Sequence, residues 1–337
     1  MSHPPLAPGH IDAPHRIAAL GDLALESGEA IPDFRQSYVT HGELDAARSN
    51  AILVCTAITG THHRLDFLIG PGKALDTRRH FVIATDAIGN GLSTSPSNST
   101  LQPRMRFPRF TIRDMVSAQH RLVVEHLGIE RLHAVVGASM GGMQALQWAV
   151  SHPALVGRVV AMTPMAAASP WSRLVLATAR ACLMADPAWT GDGFSRRPDR
   201  GWAAYAGLMN GLAMRTPSIA ADGDFDAMVA AVGAQGFDAH DFLYQSWAYE
   251  AHDVGGTPGF AGDTRRALAS IRAPALVFAP PLDLLNPEGC AREAADAIPG
   301  GRFIEIPTRN GHMGATSLSR GDADFLDRRI AGFLRGE

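Results

Sequence analysis

Residues 132–149 read LHAVVGASMGGMQALQWA, and this stretch decides the fold. Leu132–Val136 is a short apolar run without polar alternation, which marks a strand buried on both faces. Met143–Val150 reads as a helix. Between them stands Gly137-Ala138-Ser139-Met140-Gly141, a G-x-S-x-G motif. A strand entering that motif and a helix leaving it form a sharp turn that holds a serine hydroxyl above the edge of a sheet. Glycines two places before and after the serine let the backbones approach closely, and the helix N-terminus favours developing negative charge. Ser139 is the candidate nucleophile.

Outward from this turn the chain repeats the same rhythm. Ala51–Thr56, His80–Thr85, Arg158–Met162, Ala275–Ala279 and Arg302–Ile306 are further apolar runs bounded by turn residues, each expected as a buried strand. Ile112–Leu127 is a helical pattern with Ile112, Met115, Leu122 and Val123 near one stripe. Alternating strands and helices predict an α/β fold with a mostly parallel, doubly wound sheet. The rhythm breaks over residues 166–267, a span too long for a loop, with no strand pattern. Helical patterns fall there at 172–185, 224–234 and 241–251, and Trp171, Trp189, Trp202 and Trp247 are expected to pack within it. The expected organisation is a core of residues 1–165 and 268–337 with a helical cap, 166–267, inserted. Residues 1–15, rich in Pro and His, are expected to be a frayed leader.

A serine needs a base to take its proton. In the α/β-hydrolase fold the partners follow in the order Ser, acid, His, after later strands. The run ending at Ala279 leads into Pro280-Pro281-Leu282-Asp283, and the run ending at Ile306 leads to Thr308-Arg309-Asn310-Gly311-His312. Asp283 and His312 are therefore the candidate acid and base. Asp253 and Asp263 compete with Asp283 but follow no strand. For the oxyanion hole the expected donors are the backbone N–H of Met140 and, by fold analogy, that of Ile58 in the turn after Ala51–Thr56.

The 337 residues carry a formal net charge of −3, with 46% hydrophobic and 19% charged residues, and no Lys/Arg cluster. This balance excludes nucleic acid and anionic membrane surfaces as expected partners. Cys55, Cys182 and Cys290 fit no zinc or C-x-x-C spacing, so reduced thiols and a cytoplasmic setting are expected. No signal-peptide pattern precedes Pro32, and no stretch is apolar enough for a membrane helix. His62-His63 is adjacent rather than four apart, so no metal is expected, and no cofactor.

Several stretches resemble the homoserine O-acetyltransferase family: Ser49-Asn50-Ala51 leading into Val54-Cys55-Thr56-Ala57-Ile58-Thr59-Gly60, Ile69-Gly70-Pro71-Gly72-Lys73-Ala74-Leu75-Asp76-Thr77, Thr111-Ile112-Arg113-Asp114-Met115, Leu127-Gly128-Ile129-Glu130 and Ser139–Leu146. The likeness covers residues 34–175 and returns around Asp283 and His312. It implies the same triad and a possible homodimer. The chain departs from the transferases in three places. Gly89–Asn98 replaces a longer Gly-Ser-Thr-Gly-Pro segment. Gly236-Phe237-Asp238 stands where the family has Arg-Phe-Asp. Arg215 is out of register with the arginine that ends the family's Gly-Leu-Ala stretch. Arginine is the natural bidentate partner of an amino-acid carboxylate, so these losses, with a shorter cap, weaken the grip on homoserine. The expectation is a serine hydrolase of small acyl esters, as in the family's ester-hydrolase members. Acetyl transfer to homoserine, or a binding protein without catalysis, are the alternatives.

Overall fold

The six apolar runs fold as strands, joined by two more that precede them. The computed structural model describes residues 5–216, 224–234 and 236–337. Its strands are β1 (Arg16–Ala24), β2 (Ala30–His41), β3 (Ala51–Cys55), β4 (Phe81–Thr85), β5 (Ala134–Ala138), β6 (Val159–Met162), β7 (Ala275–Ala279) and β8 (Gly301–Glu305). They form one eight-stranded sheet in the order β1-β2-β4-β3-β5-β6-β7-β8. β3 to β8 run parallel, while β2 pairs antiparallel with β4 and β1 antiparallel with β2.

β1 and β2 escaped the search for continuous apolar runs for different reasons: β1 alternates, burying only Ala18, Leu20 and Leu23, while β2 buries the polar Gln36 and Ser37 beside Tyr38 and Val39. One face of β1 is solvated, as is usual for antiparallel strands at a sheet edge. β8, at the other edge, is likewise only partly buried, unlike the fully buried strand expected there. The residues before β1 depart from the frayed leader expected of 1–15. Ile11 N–H donates to Asp66 Oδ2 at 2.8 Å, His10 stacks on His63, and His15 Nε2 lies 2.5 Å from Ser37 Oγ. Histidines that can reach carboxylates and other rings dock a segment that composition alone reads as loose.

Successive residues of β3 go to opposite faces. Leu53 joins the core that holds Val135, Leu146 and Trp148, whereas Ile52 and Val54 join the one that holds Val136, Leu326 and Ile330. Burying a Val, Leu or Ile in either layer contributes about 1.5–3 kcal/mol. On the first face lie α1 (Ile112–His120, continuing as a π-turn to His126) and α2 (Met140–Ser151). Between β6 and β7 the chain is helical: α3 (Pro170–Met184), α4 (Asp199–Tyr205, running on to Ala213), α5 (Phe225–Ala234), α6 (Ala239–Glu250) and α7 (Thr264–Ala269). This excursion has a neck, where Ala168 N–H donates to His252 O and Val254 N–H to Ala166 O, both at 2.9 Å. Trp202 is buried there, whereas Trp171 is exposed and donates its indole N–H to Leu284 O. α8 (Glu288–Ala297) and α9 (Arg320–Arg335) complete the chain. Among the described residues no helix is long and apolar enough to cross a membrane. All three cysteines are free.

Candidate active site

Parallel strands point their C-terminal ends the same way, so residues just past β3, β5, β7 and β8 collect along one edge. Ser139 follows β5 directly, with φ 57° and ψ −122°. That left-handed φ is costly for a residue with a Cβ and is held by the surroundings. Ser139 N–H donates to Met162 O at 2.9 Å, and Ser139 O accepts from Met143 N–H at 3.0 Å in the first turn of α2. The two glycines of the motif have separate tasks. A Cβ on Gly137 would stand 2.1 Å from Gly141 O, and one on Gly141 would stand 2.2 Å from Cys55 O at the end of β3. Gly141→Ala is therefore expected to destabilise the protein by about 3 kcal/mol, since backbone on both sides cannot yield. A lowered urea midpoint is the reading; an unchanged one would mean the turn relaxes at no cost.

Asp283 lies in the loop after β7. Its Oδ1 accepts from Leu285 N–H at 2.9 Å and Asn286 N–H at 2.7 Å, which fixes the plane of the carboxyl group. Its Oδ2 lies 2.7 Å from His312 Nδ1, and His312 Nε2 lies 2.9 Å from Ser139 Oγ. Ser139, Asp283 and His312 are 1%, 4% and 2% exposed, so the line of contacts is shielded from competing water. With Nδ1 protonated and facing a carboxylate, Nε2 is left as the acceptor for the serine proton. The chemistry open to this arrangement is attack of a serine oxygen on an acyl carbon.

The structure separates the rival acids. Asp253 accepts from Gly255 N–H and Thr264 Oγ1, and Asp263 caps α7 by accepting from Arg266 N–H. Both are taken up by local turn and helix-end bonds, and His312 turns to neither.

Ile58 sits in the turn after β3, next to Thr59 with its φ of 54°. Among the described residues neither Ile58 N–H nor Met140 N–H has a hydrogen-bond partner, which leaves both able to donate to an oxyanion. Two glutamines to which the sequence reading gave no role hold this turn. Gln245 of α6 accepts from Thr59 N–H at 2.8 Å and donates to Ile88 O at 3.1 Å, while Gln144 of α2 donates to Thr56 O at 2.9 Å. Gln144 left a sequence signal, a polar residue in an otherwise buried helix; Gln245 left none. Tyr249 of α6 is also new to the site: its hydroxyl donates to Asn286 Oδ1 at 2.5 Å, and Asn286 N–H is in turn bound by Asp283. Of the arginines, Arg215 lies between two residues that bond the His312 loop: Met214 O accepts from Met313 N–H at 3.3 Å, and Thr216 Oγ1 donates to Arg309 O. Gly236 has open space around it and a φ of +67°.

His62 touches the ring of His63 and converges with His15 on Asp86, and among the described residues His15, His62 and Asp86 bring together the ligand types for a cation. His62 Nδ1 lies 2.9 Å from Asp86 Oδ2, with the 2.5 Å contact of His15 to Ser37 beside it. Burial alone would raise the Asp86 carboxyl, but hydrogen bonds from His15 and His62 outweigh it and hold the group below the usual carboxylate range. The cluster forms a hydrogen-bonded brace, since Asp86 Oδ1 also accepts from His62 N–H at the end of the Ile58 turn.

The α/β-hydrolase fold family matches residues 50–194. A homoserine O-acetyltransferase of Geotalea uraniireducens is 35% identical over 82% of this chain and 84% of its own length. The structure of an acetylester hydrolase from Corynebacterium glutamicum superposes with a TM-score of 0.90 at 29% identity, covering 96% of both chains. That of a homoserine O-acetyltransferase from Bacillus anthracis superposes with a TM-score of 0.84 at 27% identity, covering 96% of this chain and 97% of the other.

Proposed function

The chain belongs to the homoserine O-acetyltransferase family of α/β-hydrolase-fold enzymes, and from that premise we propose that it is a serine hydrolase of small acyl esters. Ser139 attacks the ester carbonyl while His312 takes its proton. Met140 and Ile58 N–H groups stabilise the oxyanion, and His312 then protonates the leaving alcohol. Water repeats the sequence on the acyl-serine and releases the acid. Asp283 keeps the imidazole in the right tautomer throughout. The substrate is a small-molecule ester, acetate esters by preference, and the setting is cytoplasmic.

The observation that carries the acyl-serine chemistry is the contact line from Asp283 through His312 to Ser139. Hydrolysis over transfer is supported by glycine at position 236, where the transferases carry arginine, and by the closer superposition with the acetylester hydrolase. Water stands at about 55 M, so an acceptor without a binding site of its own competes poorly. The transferase reading has its own support in the kinship with the Geotalea enzyme and in Arg215 beside the His312 loop.

The test offers p-nitrophenyl acetate with and without millimolar homoserine, and acetyl-CoA with homoserine, identifying products by mass. The expected result is acetate released from the ester at a rate that homoserine does not change. O-acetylhomoserine formed from acetyl-CoA faster than free acetate would establish transfer instead. Arg215→Ala would then be expected to raise KM for homoserine with little change in kcat.

A further inference from the structure

Two peptide groups hold the carboxylate of Asp283. Leu285 N–H and Asn286 N–H both donate to its Oδ1, at 2.9 and 2.7 Å, which leaves Oδ2 to face His312 Nδ1. Each of these N–H groups has a carbonyl at the opposite end of its own planar unit. For Leu285 N–H that carbonyl is Leu284 O, which accepts from the indole Nε1–H of Trp171 at 2.6 Å. For Asn286 N–H it is Leu285 O, which accepts from Ser172 Oγ at 2.7 Å. A carbonyl can only accept, so the single Ser172 proton is committed to Leu285 O. The 2.7 Å contact between the Ser172 and Ser169 hydroxyls is then met by the Ser169 proton, and Met165 Sδ, at 3.2 Å from Ser172 Oγ, is a far weaker acceptor. Both donors stand in the first turn of α3, directly beyond the neck. Trp171 is 51% exposed, so its ring gains little by burial, and its indole N–H is the part that is engaged.

We infer that Trp171 and Ser172 are positioning residues of the catalytic acid, a role that rests on the acyl-serine reading above. In a planar trans peptide, holding the C=O fixes the direction of the N–H that points the other way. A donor on the carbonyl also polarises the unit and strengthens the bond that its N–H gives to Asp283. The root of the cap reaches the carboxylate through two short relays, Trp171–Leu284–Leu285 and Ser172–Leu285–Asn286. When either carbonyl is released, its peptide can turn, Oδ1 loses a bond, and Oδ2 swings off the line to His312 Nδ1. The imidazole then loses the partner that keeps Nε2 turned to Ser139 Oγ. The far end of the loop is moored independently, because Asn286 Nδ2 donates to Thr163 O at 2.6 Å and Asn286 Oδ1 accepts from Tyr249 at 2.5 Å. The two relays therefore bear on the aim of Asp283 more than on the path of the chain.

The experiment compares Trp171→Phe, Ser172→Ala and the double variant with the parent on p-nitrophenyl acetate. Live sites are counted by labelling Ser139 with a fluorophosphonate, so misfolded protein drops out of kcat. A lost neutral hydrogen bond corresponds to about a three- to tenfold change, and each single variant is expected to lose kcat by that factor with KM held within about twofold. The double variant is expected to lose about ten- to hundredfold. The proton NMR signal of His312 Nδ1–H lies far downfield while Asp283 holds it, and is assigned by its absence from Asp283→Asn. In the variants it is expected to move upfield. Trp171→Phe keeps a ring at an exposed position and decides the question should Ser172→Ala not fold. A kcat within about twofold of the parent, a raised KM at unchanged kcat, or a lowered kcat with the signal unmoved overturns the assignment. If the wild-type protein neither takes the label nor releases more p-nitrophenol than Ser139→Ala, the acyl-serine reading itself has failed, which is a separate result.

Discussion

Ser139→Ala is expected to lower kcat on acetate esters by about 10⁴- to 10⁶-fold, because the members of such a relay act as a unit. The change keeps the Cβ that the strained turn already accommodates and removes one hydroxyl whose only tasks are at the site. The unfolding midpoint should therefore stay within about 2 °C of the parent, which corresponds to roughly 1 kcal/mol in a chain of this size. Activity above about a tenth of the parent, in protein freed of wild-type carry-over, would refute the nucleophile.

The second large effect belongs to Asp283→Asn, expected to cost about 10³- to 10⁴-fold in kcat. The amide oxygen can keep the bonds from Leu285 and Asn286 N–H, which hold the loop. Its NH₂ group then faces His312 Nδ1 and forces that nitrogen to accept. The imidazole proton moves to Nε2, where it blocks the transfer from Ser139. Loss of His312 itself should cost more, since the base is then gone. Asp253→Asn and Asp263→Asn should leave kcat within about twofold and reduce stability by about 1 kcal/mol or less, as expected for weakened helix caps. Parallel kinetics and unfolding of the variants check the assignment. A larger loss of kcat in either cap variant than in Asp283→Asn would transfer the role of acid.

The parallel strands and the serine turn were legible because buried parallel strands are continuous apolar runs and the turn has its own spacing. Asp283 and His312 were legible through their places after strands, a topological signal that needs no knowledge of side-chain direction. β1 was hidden because a half-exposed strand alternates, and β2 because the residues it buries include the polar Gln36 and Ser37. The docking of His10 and His15 was hidden for another reason. Their partners His63, Ser37 and Asp86 lie farther along the chain, and no local pattern announces a long-range contact. Tyr249, Gln245 and Asn286 belong to the same class. Each acts at the site through a hydroxyl or amide whose meaning depends on the fold being in place.

The neck at Ala166–Ala168 and His252–Val254 has a consequence for how the family diversifies. A segment whose two ends are tied together presents the sheet with the same anchor whatever its length. Closing a loop costs only about 0.6 kcal/mol more for each doubling of its length. Helices can therefore be lost, gained or redrawn beyond the neck with little strain passed to β6 and β7. Ser139, Asp283 and His312 stand on the sheet side of that tie, and α3 to α6 stand on the other. One sheet can in this way carry panels of different length past the same serine turn.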